Sequence, residues 1–311
     1  MNHILFLTLL AQQTVAPSVE PIGPPRGANA GNYNIRQSFE TGYRFANIDG
    51  NRGKYRSDVN FLNGVRMLGT SLAVNSRNGK GKYFDEIILN TQGLGNDPYQ
   101  FANLRVEKNQ KYRYELLWRA NDYFNPGLTI AYGQHLQNLQ RRMQDHQFTL
   151  LPTKKLQFYG GFSGNVQDGP ALSTVNLFDS RGQIFPLFEN VQRQQNEFRV
   201  GGQAQFAGLK LFWQRGWEYF KEDSRGFLNE AGTPLDPLVT NTTLGGLRRD
   251  QPNHGSTPHW RVNLFSDPVS WLSVNARFTH SDGQRNFIFD ELSNGALRGT
   301  ARTLQTLVFG N

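Results

Sequence analysis

The chain reads as an all-β protein, an antiparallel transmembrane β-barrel of outer-membrane type, and as the N-terminal part of a larger barrel. Three observations carry that expectation. The first is hydrophobic alternation with period two, recurring from Gln37 to the end of the chain, with no stretch of comparable quality at the 3.6 period of a helix. The second is a succession of tight turns and long polar excursions, which is how barrels place short turns at one mouth and long loops at the other. The third is composition: 311 residues with 32 Gly, 23 Phe and 11 Tyr, but 3 Met and no Cys. Zero cysteine excludes disulfides, thiolate zinc sites, iron–sulfur clusters, Cys nucleophiles and covalent c-type haem attachment. No run approaches the roughly 18 consecutive apolar residues of a helical membrane span.

Taken in order, Met1–Ala16 has a short apolar run (Ile4 to Leu10) leading to small residues, the shape of a secretory signal peptide. No Lys or Arg precedes the run, which a start placed too far downstream would explain. Residues 17–36, with Pro17, Pro21, Pro24 and Pro25, read as an extended periplasmic arm. Residues 37–311 carry the strands. Phe39, Thr41, Tyr43 and Phe45 oppose Glu40, Gly42 and Arg44, and Tyr55, Val59 and Phe61 oppose Arg56, Asp58 and Asn60. Tyr112, Tyr114, Leu116 and Trp118 oppose Arg113, Glu115 and Arg119, and Phe198 and Val200 oppose Arg199. Leu209, Leu211 and Trp213 oppose Lys210, Trp260 and Val262 oppose Arg261, and Ala276 and Phe278 oppose Arg277. With weaker members, about a dozen strands of about 8–11 residues result, long enough to cross a bilayer at a tilt.

Tight turns are expected at Asn63-Gly64, Lys108–Lys111, Pro152–Lys155, Ala207-Gly208 and Ser266–Val269, and long loops at Phe124–Arg142, Val166–Gln195, Lys221–Pro258 and Ser281–Ala301. One count does not close. With the N-terminus in the periplasm, the loops after Tyr123 fall on the periplasmic side, and the irregularity is expected around Gly127–Tyr132. Alternation alone also fits a soluble β-sandwich, so a secreted all-β binding module is the alternative. Aromatic residues near strand ends, mid-strand charges of both signs and long uniform strands favour the membrane barrel. The final Leu307-Val308-Phe309-Gly310-Asn311 lies inside an apparent strand without a terminal aromatic, hence the expectation of an incomplete barrel.

Chemistry-bearing motifs are sparse. Gly93-Leu94-Gly95 lacks the spacing of a dinucleotide loop, and Asn47–Asn51 lacks the spacing and closing Glu of a calcium loop. Asp145-His146 with Ser163 has the residue types of an outer-membrane hydrolase and nothing more, which makes that the least favoured activity. No catalytic, cofactor-binding or metal-binding residue is expected, and no nucleic-acid partner, since the cations alternate with aromatics instead of clustering. The candidate functional residues are the mid-strand charges Arg44, Arg56, Asp58, Arg113, Glu115, Arg119, Arg199, Lys210, Arg261 and Arg277. An Arg facing lipid at mid-membrane costs about 2–4 kcal/mol, so these are expected to face the lumen, where surplus positive charge prefers anions. The alternative for them is structural, mixed charges bracing the interior.

The stretch from Tyr55 through Phe124 (KYRSDVNF, GKYFDEIIL, QGLGNDPY, EKNQKYRYELLWRANDYFNPG), continuing to about Arg199, resembles uncharacterised bacterial outer-membrane β-barrels. These are distantly similar to the MtrB/PioB-type porin sheaths of decahaem electron conduits. The N-terminal Cys pair that some sheaths carry has no counterpart here. The resemblance implies a large barrel in the bacterial outer membrane and, in the sheath reading, a multihaem cytochrome or other protein as partner. The expected function is a non-enzymatic pore or partner sheath in contact with the lipid bilayer, taking small anions if open.

Overall fold

The computed structural model describes residues 27–310, apart from 128–134, 153–154, 178–183, 229, 237 and 240. The expected leader, the first half of the arm, most of Gly127–Tyr132 and part of the Pro152–Lys155 turn lie outside the described residues. Among the described residues fourteen strands form one antiparallel sheet. In chain order they are β1 (Ala28–Ala30), β2 (Tyr33–Arg44), β3 (Gly64–Ser76), β4 (Glu86–Gly95), β5 (Tyr99–Lys108), β6 (Tyr112–Asn125) and β7 (Leu136–Leu150). They continue as β8 (Leu156–Asn176), β9 (Ile184–Phe206), β10 (Leu209–Phe227), β11 (Thr243–Val269), β12 (Leu272–Ser281), β13 (Gln284–Leu297) and β14 (Thr300–Gly310). Each strand pairs with its sequence neighbour, except that β12 and β13 both pair with β11, on successive parts of its length. The fold class is therefore as expected, all-β and antiparallel. The sheet is not closed: among the described residues, the outer edge of β2 beyond Ile35 and the outer edge of β14 have no strand beside them.

One segment departs from the strand pattern and resolves the parity. Arg52–Asp58 is a helix, α1, not a strand. The Asn51 side chain caps it by accepting from the Lys54 amide at 3.0 Å, Lys54 and Asp58 pair one turn apart at 2.8 Å, and Asn60 ends it with φ 51°. Tyr55 and Val59 are four residues apart, a spacing that satisfies both periods, and the cap decides between them. Asn63-Gly64 is accordingly the end of a long connection rather than a hairpin. With that strand removed, the turns at 109–111, 151–155, 207–208 and 270–271 fall at the end of the sheet where β2 begins, together with the 77–85 connection, while the longer connections at 45–63, 126–135 and 228–242 fall at the other, together with the tight turns at 96–98 and 298–299. The helix at Arg52–Asp58 accounts for the irregularity.

Three of the expected long loops are largely strand. β8 and β9 run through Val166–Gln195, β10 and β11 fill much of Lys221–Pro258, and β13 fills most of Ser281–Ala301. The β11–β12 turn falls after Val269, and Ala28–Arg36 of the expected arm forms the β1–β2 hairpin. The physical reason is an inversion of the pattern. Near the short turns of β9, Phe198 and Val200 lie on one face and Arg199 on the other. Toward the far end, the face of Arg199 carries the buried Val191, Leu187 and Phe185, while the opposite face carries Gln192 and Gln194. Phe185, Leu187, Val175, Leu177, Leu244 and Leu247 make one buried cluster, and Leu139, Ala171 and Val191 a second. Backbone pairing continues unbroken while the apolar side changes, so the segment reads as polar and loop-like in sequence yet stays extended.

Candidate functional site: the charged face of the sheet

Register assigns every strand residue to one of two faces, because side chains alternate and direct partners share a face. One face carries Tyr114, Leu116, Trp118, Phe148, Phe158, Phe162, Phe198, Val200, Trp213, Trp217, Trp260, Val262 and Phe278. These side chains are large and mostly apolar, and none is buried: Phe148, Phe158, Phe198, Val200, Trp260 and Phe278 are exposed, Phe278 by 59%, and the others are half-buried. Tyr114, His146, Phe162, Phe198 and Tyr219 form a row of ring contacts along it, with the Tyr114 hydroxyl 2.8 Å from His146 Nδ1. Between Leu209 and Tyr219 this face of β10 has a single charge, Arg215, whose guanidinium lies over the rings of Trp217 and Trp260 at 5.3 and 5.0 Å.

The other face collects the charges. Of the sequence candidates, Arg113, Glu115 and Arg119 on β6, Arg199 on β9, Lys210 on β10, Arg261 on β11 and Arg277 on β12 all lie on it. Arg44 does too. β3 has one extra residue opposite Glu40–Thr41 of β2, and this bulge brings Arg66 round so that both arginines reach Asp97, Arg44 at 3.4 Å. Arg56 and Asp58 do not belong to this face: they sit on α1, where Arg56 lies over Phe124 at 3.8 Å and donates to Asn138, and Asp58 pairs with Lys54. Their reading as mid-strand charges is corrected by the helix.

Most of the charge between β4 and β9 is neutralised in place. Glu107 accepts from Arg113 at 2.9 Å and from Arg105, which also approaches Glu86 at 3.7 Å. Arg199 donates to Asp145 and Ser163, and the Ser163 hydroxyl donates to Asp145 at 3.0 Å. Arg193 donates to Glu222 at 2.7 Å and Arg249 to Glu291 at 2.6 Å. By contrast, Arg119, Lys210, Arg261 and Arg277 make no hydrogen bond or ion pair with a described residue, and all four are exposed. Glu115 likewise makes no ion pair among the described residues. A cavity of about 250 Å³ opens on the charged face beside Arg119, Asp145, Glu197 and Glu218.

The hydrolase constellation is not assembled. Asp145 and Ser163 are cross-strand partners on the charged face, but His146, the next residue along β7, points to the opposite face and meets Tyr114 and Phe162. Ser163 is held by Asp145 and Arg199, and the His146 imidazole is not on its face.

Sequence reading missed the acidic partners, because they depend on register. Arg105 and Glu107 had a local signal, two opposite charges at the i, i+2 spacing of one strand face, whereas Asp145 meets Arg199 across 54 positions. It also missed Asp85, in the connection between β3 and β4. Its buried carboxylate accepts from the Gly81 amide at 2.6 Å, the Asn109 amide at 3.0 Å and Ser76 at 3.0 Å, and pairs with Lys108 at 3.2 Å. Desolvation opposes ionisation there, but the Asn109 and Gly81 amides, Lys108 and Ser76 together outweigh it and hold the Asp85 carboxyl below the usual carboxylate range.

No protein-family model matches this chain, and no curated protein matches it.

Proposed function

We propose that the chain is an outer-membrane β-barrel segment whose apolar face contacts lipid and whose charged face lines an aqueous conduit, a porin-like pore without catalytic function. The observation that carries this reading is the inside-out distribution of side chains. Rings and aliphatic groups stand open on one face, and ion pairs line the other. A soluble sheet buries the first and solvates the second. The apolar stretch of β10 from Leu209 to Tyr219 ends at Lys221 and Asp223, so its length falls in the range of about 9–11 residues that a tilted strand needs to cross a bilayer. Among the described residues no helix is long and apolar enough to cross, so crossing would fall to the strands. The shorter turns would then face the periplasm and the longer connections the outside.

The sheath reading draws on the free edges of β2 and β14. Exposed ladders are a hazard unless paired, and further strands between them would make a wider barrel able to hold a partner protein, as the resemblance to MtrB/PioB-type sheaths implies. Expressed with a functional leader, the protein should enter the detergent-extractable envelope fraction. In planar bilayers the purified chain should conduct by itself as a pore, or conduct little and retain a co-purifying protein as a sheath. Recovery as a monodisperse soluble protein that neither binds vesicles nor conducts would overturn both and favour the secreted binding module.

A further inference from the structure

The uncompensated cations are not scattered evenly. Lys210, Arg261 and Arg277 sit on the adjacent strands β10, β11 and β12, toward the short-turn end of the charged face. Arg277 is directly opposite Asn263, and Arg261 is two residues from Asn263 along β11, so the two guanidiniums belong to diagonal neighbours. Such positions lie about 7–8 Å apart at the backbone, within the reach of two arginine side chains toward a common point. Lys210 lies nearer the turn, opposite Phe265, whose other neighbour is Asn275. The surrounding positions on this face are neutral: Gln214 and Thr279 flank Arg261, and Phe212 and Asn263 lie between it and Lys210. Two guanidiniums within reach of one another repel, an energy that a shared anion would offset, and no described carboxylate makes an ion pair with any of the three.

We propose that Lys210, Arg261 and Arg277 form a binding site for a phosphate-class oxyanion, either free phosphate or a phosphate group carried on a larger solute. The chemistry follows from the donors. Two planar guanidiniums offer paired N–H groups that match the edges of a tetrahedral oxyanion, and the lysine adds a point charge. The neutral amides and hydroxyl alongside offer further polar contacts without competing carboxylates. Elsewhere on the face Arg113 is occupied by Glu107, Arg199 by Asp145 and Arg193 by Glu222, while the unpaired Arg119 lines a cavity with Asp145, Glu197 and Glu218. The site rests on the reading of this face as an aqueous interior, since a face covered by protein would leave it no access.

The test uses the full chain in two readouts. In planar bilayers at low salt, inorganic phosphate added on the short-turn side should reduce chloride conductance at millimolar concentration. Arg261→Gln with Arg277→Gln should weaken that block at least tenfold, whereas Arg113→Gln should leave it within twofold. Isothermal titration of phosphate into detergent-purified protein should give the same ranking without depending on conduction. Glucose 6-phosphate in place of phosphate distinguishes the sources: equal or tighter binding points to a phosphorylated solute, weaker binding to the free ion, and either supports the site. Heat-modifiable migration verifies that each variant folds, and Arg277→Lys supplies a milder change in which charge persists and binding should fall only a fewfold. A protein that binds phosphate in an Arg261-dependent way but does not conduct would overturn the pore and keep the site. Conduction with phosphate effects indifferent to Arg261 and Arg277, or carried equally by Arg113, would overturn the site and keep the pore.

Discussion

The two faces of β9 carry the same backbone and opposite chemistry. Phe198 and Val200 stand on one side, open to the surroundings, and between them Arg199 turns to the other, where its guanidinium is 12% exposed and bonded to Asp145 and Ser163. In a water-soluble sheet the apolar side chains would be covered and the charges would be solvated. Here the apolar groups are uncovered and the charges are satisfied by one another. The difference teaches that apolar exposure and charge pairing are segregated by face, and that the charged side is organised largely by pairing in its middle strands while Lys210, Arg261 and Arg277 on β10–β12 stand unpaired among the described residues.

The largest effect is expected from putting a charge on the wrong face. Val200→Lys places an ammonium directly opposite Arg215 and diagonal to Trp213 and Trp217, whereas Gln203→Lys puts the same group between Gln157 and Phe212 on the charged face. If the exposed rings contact lipid, Val200→Lys should lower stability by about 2–4 kcal/mol, read as the urea midpoint for unfolding from lipid vesicles. Gln203→Lys should change it by less than about 0.5 kcal/mol, the usual range for surface substitutions away from special features. Equal effects from the two would abolish the distinction between the faces.

Within the charged face, the comparison sharpens between β9 and β12. Asp145→Ala strips the half-buried Arg199 of its carboxylate and should cost about 1–3 kcal/mol, the penalty for a buried donor left without its acceptor. Arg277→Gln removes a charge that has no described partner and should be neutral or slightly stabilising. The double change Asp145→Ala with Arg199→Met should recover part of the first loss, since it removes both partners together. Chemical denaturation of the three variants in one detergent gives the ranking.

Legibility in the sequence followed the same division. The hairpins β5–β6 and β9–β10 were readable because their apolar face stays on one side from the turn upward, and Ala207-Gly208 has the positive φ values of 46° and 79° that its residue types allow. Arg113, Arg199 and Arg277 could be placed on a common face for that reason. The distal parts of β8–β11 were not readable, because beyond the apolar stretch Phe185 and Leu187 move to the side that Arg199 occupies, and a pattern that inverts midway resembles one that ends. Arg56 and Asp58 were misplaced because Tyr55 and Val59 fit two periods and the Asn51 cap is a local hydrogen bond rather than a pattern. Which carboxylate neutralises which arginine was out of reach, since Asp145 and Arg199 meet only once the register of β7, β8 and β9 is set.

Asp85 offers the smallest and most selective test, because it holds a charge on neither face. Its carboxylate is buried in the connection between β3 and β4 and stitches that connection to the β5–β6 turn through the Asn109 amide and Lys108. Its ionised form is favoured in the folded protein, so its folded value lies below the unfolded one, about 3.9 for an aspartate. A depressed carboxylate contributes stability that is fully present above the unfolded value and is lost as pH falls through the lower folded value. Wild-type protein should therefore lose stability on going from about pH 5 to about pH 2. Asp85→Asn should start lower at neutral pH, since an amide pairs poorly with Lys108, and should fall less over the same interval. The local readout is hydrogen exchange of the Gly81 and Asn109 amides, which should quicken in the variant while amides of β9 and β10 stay protected. If the pH dependence of the two proteins is parallel, Asp85 contributes nothing to the acid response and the turn is held by its backbone hydrogen bonds alone.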